Sequence, residues 1–318
     1  MIVNIKILQK RITLYGLIVL FGWLTSCRNT NEVYLFSTFH EPASDGLRFL
    51  YSHDGYNWTD IGQVFLEPEV GKQKLMRDPS VIQGPDGIFH LVWTSSWRGD
   101  RGFGYSSSPD LIHWSEQKFI PVMDHDTSTV NVWAPELFYD DENQVFIILW
   151  ASTVPYRFDR GIEDEENNHR IYCTTTSDFI TFTPACLFFD PGYSVIDATI
   201  VKCKKEDYVL VFKDNTRPNR NLKVAFSEKP TGPYTGISEP FTSFLTEGPT
   251  VIKPGKDWII YFDAYGDKKY GAVKTRDFKT FTDITDEIYI PEGTKHGTIV
   301  KVKQEIPDGI FDYIGYNR

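Results

Sequence analysis

The sequence predicts an all-β fold, a five-bladed β-propeller closed by strands from both ends of the chain. Three observations predict it. Helical periodicity is almost absent. Short β-rich runs pair across turn signals four times, and a fifth unit begins the same way. Between the pairs recurs a second mark, an Asp in a turn with an aromatic about four residues on.

The paired runs are DPSVIQGPDGIFHLVWTSS, APELFYDDENQVFIILWAS, DATIVKCKKEDYVLVFKD and EGPTVIKPGKDWIIYFDA. Each reads strand, hairpin, strand, with GPDG, DDEN, KKED and PGKD as the turns. HGTIVKV, from His296 to Val302, opens the fifth unit. The second mark is carried by SHDGYNW, SSPDLIHW, TSDFITF and TRDFKTF, and more weakly by SEKPTGPY. Its aromatics are Trp58, Trp114, Phe182, Phe281 and, in the weaker copy, Tyr234. The period is roughly 50 to 65 residues, which with four strands per unit is that of propeller blades. The chain begins on an outer mark and ends on an inner one. One blade must therefore combine both termini, which removes the free sheet edges. A pair of β-sandwiches would leave this alternation unexplained.

The N-terminus is read apart from the fold. Lys6, Lys10 and Arg11 precede the apolar run ITLYGLIVLFGW, which is too short for a permanent span. A basic start, a short apolar core and small residues at the end make a signal peptide. The ending LTSC is similar to a bacterial lipoprotein box, with Cys27 as the lipidated residue. The expected division is a signal peptide over 1–26, a tether over 27–32 and the propeller over 33–318. The protein is then expected in the cell envelope, periplasm-facing or on the outer surface, and touches membrane only through its lipid.

Cleavage leaves 30 basic against 43 acidic residues, a formal charge of −13. Such a chain repels nucleic acid. Aromatics make up 15% of the sequence, which suits β structure and flat contact surfaces such as sugars use. Cys173, Cys186 and Cys203 form neither a disulfide framework nor a metal pattern. Buried thiols are expected, with a Cys173–Cys186 pair open in an oxidising compartment. A monomer is expected.

The stretch LMRDPSVI places Arg77, Asp78 and a proline at the mouth of an apolar strand. An unpaired buried carboxylate costs several kcal/mol, so Asp78 is either a turn residue or a functional one. Alignment of the unit starts decides for function. Asp78 falls in register with Ala134, Asp197, Gly248 and His296. Glu136 follows its reference position by two residues, on the same strand face, and Glu247 precedes its own by one. First strands of blades line one channel, so Asp78, Glu136, Asp197, Glu247 and His296 are expected around one pocket. Like charges brought together separate their proton affinities, as an acid–base pair requires.

With RDPSV, WAPEL, VIDATIV, TEGPTV and KHGTIV in this order, the chain resembles the family 43 glycoside hydrolases, five-bladed propellers that invert the anomeric carbon. The resemblance covers about Arg77 to His296. It implies that Asp78 is the general base that activates water and that Glu247 is the general acid. It implies that Asp197 raises that acid's proton affinity and holds it in place. Arg77, Trp97, Trp133, Glu136 and His296 would bind substrate, Glu136 as a sugar-hydroxyl acceptor. Trp93 is a further ring near the channel, equally suited to the core. No cofactor is required, although a hydrated calcium is implied at His296. The substrate would be an oligo- or polysaccharide of plant origin, cleaved at α-L-arabinofuranosyl or, second, β-D-xylosyl units. An exo-β-galactosidase and a non-catalytic glycan-binding propeller are the alternatives. A phosphorylase would need a basic cluster, and the channel motifs supply mainly Arg77.

Two polar segments fall outside the repeat. PYRFDRGIEDEENNHR, from Pro155 to Arg170, reads as a rim loop. KDNTRPNR, from Lys213 to Arg220, projects from a blade end and offers Lys213 or Arg217 to the site.

Overall fold

The computed structural model describes residues 32–315. The leader, Cys27 and the tether up to residue 31 lie outside the described residues. Strand β1 (Glu32–Thr38) takes in Glu32, which the sequence assigned to the tether. Strands β2 (Arg48–Ser52) and β3 (Thr59–Asp60) follow it.

The first complete blade is β4 (Arg77–Gln83), β5 (Phe89–Thr94), β6 (Phe103–Ser108) and β7 (Lys118–Ile120). The second is β8 (Trp133–Asp140), β9 (Val145–Thr153), β10 (His169–Thr176) and β11 (Cys186–Phe189). The third has three strands, β12 (Val195–Lys204), β13 (Asp207–Asp214) and β14 (Asn221–Ser227). The fourth is β15 (Glu247–Ile252), β16 (Trp258–Ala264), β17 (Lys269–Thr275) and β18 (Phe281–Asp283). The closing blade has the order β19-β1-β2-β3, with β19 (Ile299–Lys303) innermost. Phe36 pairs with Ile299 and Glu32 with Lys303, so both ends of the propeller share one sheet.

Burial explains why the strands read as near-continuous apolar runs. Every residue of FHLVWT in β5 is buried, because each blade packs on both faces. Five apolar clusters hold the ring, one between each neighbouring pair of blades. The cluster between closing and first blades joins Val33, Phe49 and Val302 to Leu91 and Trp93. That between closing and fourth blades joins Phe36 and Trp58 to Ile259 and Tyr261. The ring therefore closes through packing as well as hydrogen bonds.

The second mark is an Asp-capped turn. One oxygen of Asp110 accepts the backbone N–H groups of Ile112 and His113. Asp54, Asp178 and Asp277 hold their turns in the same way. The weak mark SEKPTGPY lacks this Asp, and there a single bridge, Phe226 to Thr235, stands in place of a fourth strand. The sequence missed one helix, α1 (Glu305–Ile314). It buries Ile310 against the closing and first blades and ends on left-handed Gly315.

Candidate active site

The positions aligned from sequence share a backbone feature. Asp78, Ala134, Asp197 and Gly248 have φ of 52°, 45°, 53° and 59°. At each, the pairing of inner and second strands skips, between Arg77/Ser80, Trp133/Glu136, Ile196/Thr199 and Glu247/Thr250. These are bulges, which bend a strand end and re-aim its side chains. Three of the four positions carry a side chain in the left-handed region, where non-glycine residues cost about 1 kcal/mol or more. His296 occupies the fifth position ahead of β19, without this conformation.

The bulges converge on one pocket lined by Arg77, Asp78, Thr94, Trp97, Trp133, Ile196, Asp197, Glu247 and His296. Asp78 is held on both oxygens. The Thr94 hydroxyl donates to Oδ2 at 2.9 Å, and Oδ1 lies 3.3 Å from Nδ1 of His296. Thr94 in turn accepts the N–H of Ala134 at 2.8 Å, which ties Asp78 to the next blade. Burial opposes ionisation of Asp78, but His296, Arg77 and Thr94 outweigh it and hold its carboxyl below the usual range. Asp197 is the opposite case. Burial pushes it up to about 6, with Glu247 and Asp78 adding to the effect and His296 and Lys213 opposing it. Its Oδ2 accepts the N–H of Gly248 at 3.1 Å, next in sequence to Glu247. One carboxylate favoured and one disfavoured in a single pocket is the separation that acid–base chemistry uses.

Glu247 is met by Lys213, whose Nζ lies 2.8 Å from Oε2. The Lys213–Arg220 segment at the end of β13 thus supplies Lys213 but not Arg217, which pairs with Glu163 and Asp164 of the Pro155–Arg170 loop. Lys295 lies close by on Asp263, at 2.9 Å. The structure therefore adds two cations to Arg77, and each faces a carboxylate. Arg77 contacts Glu41 at 2.8 Å and lies between the rings of Phe39 and Trp97, 4.9 Å from each centroid.

Trp97 and Trp133 form the aromatic wall, with centroids 4.7 Å apart, and Trp97 is 48% exposed. The Trp133 indole donates to the Trp97 carbonyl at 2.7 Å and stacks on buried His169. Trp93 is fully buried in the core between blades. Glu136 lines the adjoining cavity along the channel, beside Pro135, Ala198 and Thr199. Its oxygens accept the hydroxyls of Thr199 and Thr298 at 3.0 and 2.9 Å. Burial raises its proton affinity.

His296 borders both cavities. Burial opposes its charge, yet Asp78, Asp197 and Glu136 raise it to about 9. The resemblance places a hydrated calcium at His296, whose Nδ1 here faces Oδ1 of Asp78 at 3.3 Å; calcium takes mainly oxygen ligands, water included. Among the described residues, no group of three His, Cys, Asp or Glu side chains could hold a metal.

A propeller whose channel mouth gathers an aromatic wall and carboxylates of opposed proton affinity is built for carbohydrate chemistry. The chain belongs to the family 43-related glycosyl hydrolases: residues 29–308 match the family described as "Probable glycosyl hydrolase domain". An α-L-arabinofuranosidase of Bifidobacterium longum subsp. longum is 24% identical over 223 residues, 57% of this chain and 21% of that protein. The chain thus spans about a fifth of that relative's length. Among solved structures, an endo-arabinase of Bacteroides thetaiotaomicron is 17% identical with a TM-score of 0.58, over 84% of this chain and 92% of its own. An α-L-arabinofuranosidase of Clostridium thermocellum is 14% identical with a TM-score of 0.56, over 80% and 90%. These structural likenesses show the fold.

Proposed function

We propose that the protein is an inverting glycosidase that removes α-L-arabinofuranosyl units from plant polysaccharides. The observation that carries this is the meeting of Asp78, Asp197 and Glu247 in one pocket from three blades. Asp78, held ionised by His296 and Thr94, takes a proton from water as its oxygen attacks the anomeric carbon. Glu247 gives a proton to the glycosidic oxygen as that bond breaks. The two carboxyl groups act on opposite sides of the sugar, as inversion requires. Asp197 takes up negative charge reluctantly and lies beside the acid, accepting the N–H of the residue that follows it. Arg77, Trp97 and Trp133 offer a donor and ring faces to the sugar. The names of the relatives support arabinose as the sugar. Each added cation is engaged by a carboxylate, which favours water over phosphate as the nucleophile.

The test is a screen of aryl α-L-arabinofuranoside, β-D-xyloside and β-D-galactoside, with arabinan, arabinoxylan and arabinogalactan. The arabinoside should turn over best, without phosphate, and NMR of the first product should show inverted configuration. Asp78→Asn and Glu247→Gln should each lower turnover of polysaccharide by about 10²–10⁴. Wild-type rates in both variants would remove the catalytic assignment. Tight glycan binding by calorimetry with no product over days would make the propeller a binding module.

A further inference from the structure

Lys213 lies outside every channel motif, yet it is 2% exposed and reaches Glu247 from the end of β13. Its Nζ donates to Oε2 of Glu247 at 2.8 Å and sits 4.8 Å from the centre of the Tyr265 ring. Among the described residues, Oε1 of Glu247 has no hydrogen-bond partner, and the Glu247 side chain is 31% exposed. One oxygen is therefore pinned, and the other is left without a hydrogen bond on a side chain that lines the pocket. We propose that Lys213 is a positioning residue for proton delivery: it fixes Oε2 of Glu247 so that Oε1 faces the glycosidic oxygen. This rests on the reading of Glu247 as the acid.

The chemistry supports the arrangement. Free Glu side chains rotate about three torsions, and proton transfer tolerates only about 10–20° of misalignment. A lysine held among carboxylates removes that freedom. The same hydrogen bond serves both protonation states, because Oε2 accepts from Lys213 whether or not Oε1 carries a proton. In the step itself the proton leaves Oε1 for the glycosidic oxygen, which keeps the electron pair of the broken C–O bond. The attacking water loses its proton to Asp78. Exchange with solvent then restores both carboxyls. Lys213 stays charged throughout, since Glu247 and Asp197 outweigh the effect of its burial. The other groups whose charge is felt there are Arg77, Asp263, Tyr265 and Tyr270 around the Glu247–Lys213 pair, with His169 near Lys213 and with Asp78 and His296 beyond Asp197.

Two substrates separate positioning from support of the fold. A 2,4-dinitrophenyl glycoside leaves without a proton, whereas an alkyl glycoside of the same sugar needs one. Lys213→Met should lower kcat on the alkyl glycoside by about 10–10², the cost of misplacing a reacting group, and change the dinitrophenyl rate less than about threefold. KM should stay within about threefold for both. The alkaline limb on the alkyl substrate should also move to higher pH, because a cation favouring the ionised carboxylates has gone. Lys213→Gln, which keeps an N–H donor, should recover part of the loss. It is also the variant to read if circular dichroism shows Lys213→Met unfolded. Equal losses on both substrates, or none, in a folded Lys213 variant would overturn the proposal. Glu247→Gln runs alongside. If it shows no leaving-group selectivity, the acid assignment itself has failed. If it shows selectivity and the Lys213 variants do not, only the positioning role has failed.

Discussion

Nδ1 of His296 lies 3.3 Å from Oδ1 of Asp78, which joins the last blade-opening position of the chain to the first. The contact couples the proposed general base to stability. His296 binds its proton more tightly in the folded protein, at about 9 against an ordinary 6.5. A raised histidine adds stability that is fully present below its unfolded value and is lost as pH rises through its folded one. Stability should therefore fall between about pH 6.5 and 9. Asp197 is also raised, from 3.8 to about 6, so its own loss falls mostly below this window. Urea unfolding of wild type and His296→Gln at about pH 6, 8 and 9.5 tests this. The gap between the two should be widest at the lowest pH and close at the highest. Parallel curves would show that the imidazole carries no charge there.

Gly248 makes a sharper prediction about the bulges. Ala134 shows that a methyl group is tolerated at this backbone conformation. At Gly248 the obstacle is contact: a Cβ would stand 2.4 Å from Cγ of His296. Gly248→Ala must therefore push His296 off Asp78 or shift β15, at a cost of about 1–3 kcal/mol as for other overpacked sites. Both the melting temperature and kcat should drop. A variant with wild-type values of both would show that the pocket wall is looser than drawn.

The bulges also explain what was legible in the sequence. Such a position accepts only a small or polar residue before the apolar pair of the strand. Asp78, Ala134, Asp197 and Gly248 therefore stand out against their neighbours, and their register is readable without coordinates. Glu136 was placed on the correct face, but two residues along a strand is about 7 Å. That distance carries it past the pocket of Asp78 and Glu247 into the adjoining cavity. Lys213 could be offered only as one of two candidates, because its segment leaves β13 and nothing local distinguishes it from Arg217. What decides is the acidic Pro155–Arg170 loop, whose Glu163 and Asp164 take Arg217. Helix α1 escapes the sequence because, among the described residues, it is a single short α-helix in a chain of strands. Pro307 in its first turn and Gly315 at its end were its only strong signals.

The second blade carries a prediction independent of catalysis. Cys173 of β10 and Cys186 of β11 are direct cross-strand partners, with sulfur atoms 3.1 Å apart. Opposed residues in antiparallel strands have Cα atoms about 4.5–5.5 Å apart, inside the range a disulfide spans. Among the described residues Cys203 has no such partner, and burial pushes its thiol up to about 11. Glutathione disulfide should therefore oxidise the pair, taking up its two hydrogens to leave two glutathione thiols. Thiol titration of the unfolded propeller, residues 32–318, should then find Cys203 but not the pair. Cys186→Ser should retain both remaining thiols under the same treatment. The oxidised form should resist urea better, by up to about 3 kcal/mol, because the bridge ties the outermost strand to its blade. Thiols that persist at an oxidising glutathione ratio would show that the outer strand holds the two sulfur atoms apart in solution.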